Sequence, residues 1–270
     1  MTKKRNYFYL AQELYSEYFT HITTSTLENR IIKILGDELD SNFFVKNPVT
    51  PREFLNIFLQ KNYPNEISIK SNFINKVISK TKKHVTIFEL NVGSSRVDLC
   101  KVNGQSTAFE IKTELDSPKR LKTQMKDYFS VFEEVYLICP EKKLDTYLKH
   151  IPLKCGIYTY KISATGKYFF NLQKKARHSS NICAFSQLST FTKKDLLSYF
   201  SCPNFNEKRM MFNWIVEHHS DKQINTIFKC QLKDKYSQQW HFLLNNKENI
   251  LEIDYQWFFK NQINPEIVYK

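Results

Sequence analysis

The sequence predicts an α/β chain: a mixed β-sheet core flanked by helices, with additional N- and C-terminal helical regions. Three patterns predict it. Helix-start signals and helical apolar spacing fill the chain up to about residue 83. Apolar alternation with Asn and Gly turns takes over from residue 84 to 175. Helical spacing returns in 176–270. The 270 residues, 41% hydrophobic and 25% charged, are enough to bury a core and exclude a disordered or collagen-like chain.

Residues 7–19 are rich in Tyr, Phe and Leu and read as the first helix. Ser25-Thr26-Leu27-Glu28 has capping-box spacing and opens a helix with Leu27, Ile31, Ile34 and Leu35 on one face. Thr50-Pro51-Arg52-Glu53 repeats the signal with Pro at the first helical position, and Phe54, Ile57 and Phe58 form its apolar side. A short helix is predicted over 73–79. Strands follow at 85–90, 96–102 and 107–112, with Gly93 in the first turn and Asn103-Gly104 in the second. Ser117-Pro118 starts a helix whose apolar side is Leu121, Met125, Tyr128, Phe129 and Phe132. A strand at 134–139, a short helix at 143–149, and strands at 156–162 and 167–172 complete the sheet. The segment 176–191 reads as a linker. Helices are predicted at 193–200, 206–218, 222–244 and 251–260.

Forty Lys and Arg oppose 27 Asp and Glu, a formal charge of +13 that suggests a polyanionic partner. The surplus is +5 in 1–85, +3 in 86–170 and +5 in 171–270, so no basic tail carries it. The five glycines include no cluster, which excludes Gly-rich phosphate loops and dinucleotide fingerprints. None of the six cysteines forms a Cys-x-x-Cys pair, so a zinc site is not expected, and Cys100 and Cys139 read as buried thiols. Lys3, Lys4 and Arg5 precede an apolar stretch that stops at Gln12 and Glu13, too short for a signal peptide. No apolar run is long enough to span a bilayer, so no membrane partner and a cytoplasmic location are expected.

The chemistry-bearing stretch is Arg96-Val97-Asp98-Leu99, a hairpin, then Phe109-Glu110-Ile111-Lys112. Residues two apart in a strand share a face, so Glu110 and Lys112 point together and Asp98 can lie opposite them. Val97, Leu99, Phe109 and Ile111 point the other way. Two close carboxylates repel unless something pairs them, and a hard divalent cation such as Mg²⁺ would. Such a cation lowers the pKa of a bound water, and Lys112 could stabilise developing negative charge. The set suits phosphodiester hydrolysis.

Asp98, Glu110 and Lys112 on a β-hairpin followed by a helix resemble the PD-(D/E)XK nuclease superfamily. Gln124 and Tyr128 are similar to the Gln-x-x-x-Tyr motif of its RecB-type branch. The core also resembles an uncharacterised bacterial family with Arg-Ile-Asp, Asn-Gly and Glu-Ile-Lys motifs, here Arg96-Val97-Asp98, Asn103-Gly104 and Glu110-Ile111-Lys112, followed by Asp116 and Arg120-Leu121. The resemblance covers roughly residues 84–160 and departs at Val97, where Pro is usual. It implies a restriction-endonuclease-like sheet over 84–175, with the first core helix and an insertion in 1–83. It implies a Mg²⁺-dependent endonuclease, with Mn²⁺ as substitute, acting on DNA in phage defence, DNA repair or mobile-element biology. Asp98, Glu110, Lys112 and Gln124 would be catalytic. Asp98, Glu110 and the Ile111 carbonyl would hold the metal, with Glu28 or Glu89 as a further acidic ligand. Glu28 reads first as a capping residue. Arg96, Lys119, Arg120, Lys122 and Tyr128 would contact nucleic acid. A homodimer or a controlling protein partner is compatible with it.

Other readings stand beside this one. The carboxylates and lysine could be charges on a solvated sheet face. Tyr128 could be core, and the basic start of its helix, which includes Lys126, an ordinary solvated face. The fold could serve as a catalytically inactive nucleic-acid-binding module, or as a partner-controlled toxin or effector nuclease. Glu141-Lys142-Lys143 reads as a solvated loop, as do Lys82, Lys83 and His84. His218-His219 reads as structural, because adjacent helical residues point apart. Trp214, Trp240, Trp257 and Phe258 read as core.

Overall fold

A computed structural model describes residues 6–36, 38–39, 42–80, 83–179 and 182–270. Lys3, Lys4, Arg5 and Lys82 lie outside the described residues. In chain order the α-helices are α1 (Tyr7–Ser16), α2 (Thr24–Leu35), α3 (Phe43–Lys46), α4 (Pro51–Asn62), α5 (Glu66–Lys76), α6 (Leu121–Phe129), α7 (Leu144–Leu148), α8 (Ala184–Ser189), α9 (Lys193–Phe200), α10 (Lys208–His218), α11 (Asp221–Asn246), α12 (Tyr255–Asn261) and α13 (Pro265–Val268). The strands are β1 (Val85–Val92), β2 (Ser95–Asn103), β3 (Gln105–Ile111), β4 (Glu134–Pro140), β5 (Gly156–Ile162) and β6 (Tyr168–Lys174). The α/β class is as the sequence predicts. Among the described residues no helix is long and apolar enough to cross a membrane.

The chain folds as two units rather than three consecutive regions. One unit comprises 1–78, 161–169 and 241–270; the other comprises 79–160 and 170–240. The expected boundary after residue 83 falls close to the observed one. The expected boundary at 175 falls inside the second unit, and the division after 240 falls inside the region expected as one C-terminal part.

In the first unit Ile253 joins a core built from Leu14 of α1, Leu27, Ile31 and Leu35 of α2, and Leu55 and Leu59 of α4. Helix α2 begins two residues earlier than the Ser25 signal implies. Thr23 is its N-cap and its hydroxyl accepts from the Thr26 N–H, so Glu28 is no capping partner. The predicted capping box of α4 is present: Thr50 and Glu53 satisfy each other's backbone N–H groups, with Pro51 in the first turn. Its inner face is Leu55 and Leu59, four apart. Ile57 points outward at 62% exposure, while Phe54 and Phe58 only flank the core. Buried Asp254 ties this unit's ends together. It accepts from Thr20 at 2.7 Å, Tyr18 at 2.7 Å and Tyr269 at 2.8 Å. Burial raises its carboxyl above the usual range, against the pull of these hydrogen bonds and of Arg52.

The second unit is organised by the sheet, in strand order β1-β2-β3-β4-β5-β6. The β1–β2 and β2–β3 pairs are antiparallel; β3–β4 and β4–β5 are parallel. Gly104 turns the β2–β3 hairpin at φ +72°, and Lys229 of α11 donates to its carbonyl at 2.7 Å. The same lysine lies 3.0 Å from buried Glu133, which also accepts from the Ser106 N–H at 2.6 Å and from Asn225 at 2.9 Å. Burial pushes the Glu133 carboxyl up, but these donors outweigh it and hold it below the usual range. Cys100 and Cys139 are buried thiols, the latter pushed up to about 12 by burial. The predicted linker instead contains α8, which buries Ala184, Gln187 and Leu188. His84 is buried beside Trp240, not solvated, with ring centroids 5.2 Å apart. Trp240 and Phe258 are core residues; Trp214 and Trp257 are only half-buried.

Candidate active site

The registers Leu99 with Phe109 and Cys100 with Ala108 continue to place Asp98 of β2 opposite Glu110 of β3. Alternation sends their apolar neighbours to the other face, but both faces are covered. Asp98 is 6% exposed, Glu110 2% and Lys112 6%, so these are not charges on a solvated sheet face. Helix α6 covers them, packing on β2 and β4.

Asp98 Oδ2 and both Glu110 oxygens have identifiable donors. Asp98 Oδ2 accepts from the Ile111 N–H at 2.6 Å, fixing the carboxylate against the end of β3. Lys112 Nζ lies 2.6 Å from Glu110 Oε1 and donates to Gln124 Oε1 at 3.0 Å. Gln124 Nε2 donates to the same Glu110 oxygen at 2.7 Å. Tyr128 Oη donates to Glu110 Oε2 at 2.7 Å and lies 2.8 Å from the Arg96 carbonyl oxygen. Gln124 and Tyr128, four apart on α6, thus face the site together. Tyr128 is fully buried, so it is a core residue and a site residue at once. Burial, followed by the Glu110 charge, raises its phenol well above the ordinary value.

Two further contacts position this helix. Gly93, at φ +57°, turns β1 into β2 where an added Cβ would come within 3.1 Å of the Asp127 carboxylate. Asp127 Oδ2 accepts from the Ser94 N–H at 3.2 Å, Ser94 Oγ at 2.9 Å and Ser95 Oγ at 2.7 Å. The β1–β2 turn is therefore locked to α6. Tyr160 Oη donates to the Lys112 carbonyl at 3.3 Å. Sequence reasoning missed Asp127 and Tyr160; their partners lie far away in the chain, and only the Gly93 turn hinted at a close approach.

The two candidates for a further acid differ in placement. Glu28 is a half-buried residue of the other unit. Glu89 lies in β1 with φ +56°, and the registers on either side of it, Phe88 with Leu99 and Leu90 with Val97, bring it opposite Asp98. A non-glycine residue in this backbone region is strained by about 1–3 kcal/mol, a feature that clusters at functional sites. Glu89 also pairs with exposed Arg96 at 3.5 Å. Lys119, Arg120 and Lys122 are exposed at the start of α6. Asp116 accepts from the Thr113 N–H at 2.7 Å and shapes the turn after β3. Glu141-Lys142-Lys143 forms a 3-10 turn after β4, with Lys142 on Glu114 at 3.0 Å.

Comparison with known proteins decides the family. The family model described as bacteriophage P4 protein cII matches residues 59–256. The chain belongs to the bacteriophage P4 protein cII family. "Protein cII" of Enterobacteria phage P4 is 34% identical over 117 residues, 42% of this chain and 44% of that protein. The match therefore spans less than half the length of that curated relative. The cII family match covers β1–β6, α6 and the whole carboxylate–lysine cluster.

The cluster's donors are hard oxygens, and two buried acidic side chains face one buried ammonium, an excess of acid that a cation would balance. Among the described residues no group of three or more His, Cys, Asp and Glu side chains is arranged to hold a metal. Asp98 and Glu110 supply two hard-oxygen side chains, so a cation there would need Lys112 to leave Glu110 Oε1. His218 caps its own helix, with Nδ1 2.7 Å from the Trp214 carbonyl and its ring stacked on Trp214 at 4.0 Å.

Proposed function

We propose that this chain is a metal-dependent nuclease that hydrolyses phosphodiester bonds in DNA, with a PD-(D/E)XK-like site. The observation that carries this reading is the burial of Asp98, Glu110 and Lys112 together under α6, with Gln124 and Tyr128 holding Glu110 from that helix. A structural ion pair needs one carboxylate, not two in register. Asp98, Glu110 and the Ile111 carbonyl would hold Mg²⁺ or Mn²⁺, and Glu89 is the further acid better supported by register. When bound, the cation would activate water and neutralise phosphate charge. Lys112, released from Glu110, stabilises charge developing on the phosphate oxygens. Gln124 orients Lys112, and Tyr128 fixes the second Glu110 oxygen. Arg96, Lys119 and Arg120 hold backbone phosphates, while Lys122 lies on the face of α6 turned away from the cluster.

One observation favours a second reading, a catalytically inactive nucleic-acid-binding module. Lys112, Gln124 and Tyr128 already satisfy both Glu110 oxygens. Cleavage of plasmid DNA with Mg²⁺ or Mn²⁺ separates the two. The nuclease reading expects cleavage by the wild type and a loss of at least ~100-fold in Asp98→Asn, Glu110→Gln and Lys112→Met. Salt-sensitive DNA binding without cleavage under any divalent cation supports the inactive module.

A further inference from the structure

On the far side of α6 from the carboxylates lies a groove of about 950 Å³ between that helix and the segment 149–154. Gln124 and Tyr128 face the site; Lys122 and Lys126 are each offset from Gln124 by two residues, about 200° around the helix. They form one wall of the groove, and Lys149, His150 and Lys154 contribute the other. Met125 and Phe129 are at its floor, with Lys154 Nζ 4.4 Å from the Phe129 ring centroid.

The charge here is one-sided. Four lysines and a histidine line the groove, and no carboxylate does. Among the described residues, Lys122, Lys126 and Lys149 have no acidic partner, and all three are exposed. Lys122 and Lys126 are a like-charged pair four apart, which costs a helix a few tenths of a kcal/mol. Lysines gathered on both walls of a concavity repel one another, and no carboxylate among the residues lining this one relieves them.

We infer that this groove grips the sugar–phosphate backbone of a nucleic acid, as a binding site on the opposite face of α6 from the carboxylate cluster. Lys122 and Lys126 hold phosphates from the helix side, and Lys149 and Lys154 hold them from the other. The contacts are to phosphate and carry no base specificity. The inference does not require the carboxylate cluster to be catalytic.

The test is binding of labelled single-stranded and duplex oligonucleotides, without divalent cation, between about 50 and 200 mM salt. Lys122→Gln/Lys126→Gln/Lys149→Gln is compared with the charge-matched Lys193→Gln/Lys194→Gln/Lys222→Gln, which lies outside the groove. All six lysines are exposed, so both variants keep the fold, as an unchanged melting temperature would verify. The groove variant is expected to bind at least ~10-fold more weakly at low salt, with a log–log salt slope flatter by about 2–3. The control should lose much less. Equal losses in the two variants, or no loss in the groove variant, would overturn the inference. Binding is read without divalent cation and cleavage with it, so failure of the groove and failure of the nuclease reading are read out separately.

Discussion

Removing the ammonium from the carboxylate cluster gives a quantitative test of its electrostatics. Lys112 and Glu110 side chains are 7% and 2% exposed, with Nζ 2.6 Å from Oε1 and Asp98 opposite Glu110. Breaking a buried ion pair by deleting one partner costs about 3–5 kcal/mol, because the other charge is left uncompensated. Lys112→Met should therefore lose about that much, measured by urea titration with linear extrapolation. Adding Glu110→Gln to it should recover part of the loss, since the stranded charge is gone. A cation that binds the remaining carboxylates should also restore stability, by about 2.7 kcal/mol at a hundred times its dissociation constant. Mn²⁺ should thus raise the midpoint of Lys112→Met more than that of Lys112→Met/Glu110→Gln. A loss below about 1 kcal/mol in the single variant would refute the picture of a buried, mutually compensated cluster. Equal Mn²⁺ responses would refute Glu110 as a ligand.

Further outcomes follow from the same contacts. Tyr128→Phe removes a hydrogen bond to a buried carboxylate and should cost about 1.5–3 kcal/mol in the same titration. Gly93→Ala should be more destabilising than Gly104→Ala: both have positive φ, but only at Gly93 does the new Cβ crowd the Asp127 carboxylate, at 3.1 Å, while Gly104 opens to free space. Glu133 titrates below its ordinary 4.5 in the folded chain, so its contribution is present above that pH and is lost as pH falls through the folded value. Glu133→Gln should accordingly be less stable than wild type at neutral pH, by about 1.5–3 kcal/mol, with the gap closing in acid denaturation scans.

The hairpin was legible because Val97, Leu99, Phe109 and Ile111 alternate with Asp98, Glu110 and Lys112 across an Asn103-Gly104 turn. The Gln124–Tyr128 spacing likewise gave the helix face that meets them. That the charged face is also buried was not legible. Its burial depends on the packing of α6, fixed by Asp127 against Ser94 and Ser95 more than 30 residues upstream. Strong local signals, such as Thr50-Pro51-Arg52-Glu53, gave an element and its cap. Where two hydroxyls compete, as Thr23 and Ser25 do, the register of the core stripe Leu27, Ile31 and Leu35 is compatible with either start, and the backbone geometry chooses Thr23. The grouping of 161–169 and 241–270 with the N-terminal helices has no local signature, because Ile253 and Asp254 carry the same pattern whichever core receives them.

The most direct test of the central claim is diffraction from crystals soaked in Mn²⁺, read through anomalous scattering. The account predicts one peak at about 2.1 Å from oxygens of both Asp98 and Glu110, with Lys112 withdrawn from Glu110. Crystals saturated with Mn²⁺ that show no such peak, and Lys112 still 2.6 Å from Glu110 Oε1, would contradict it.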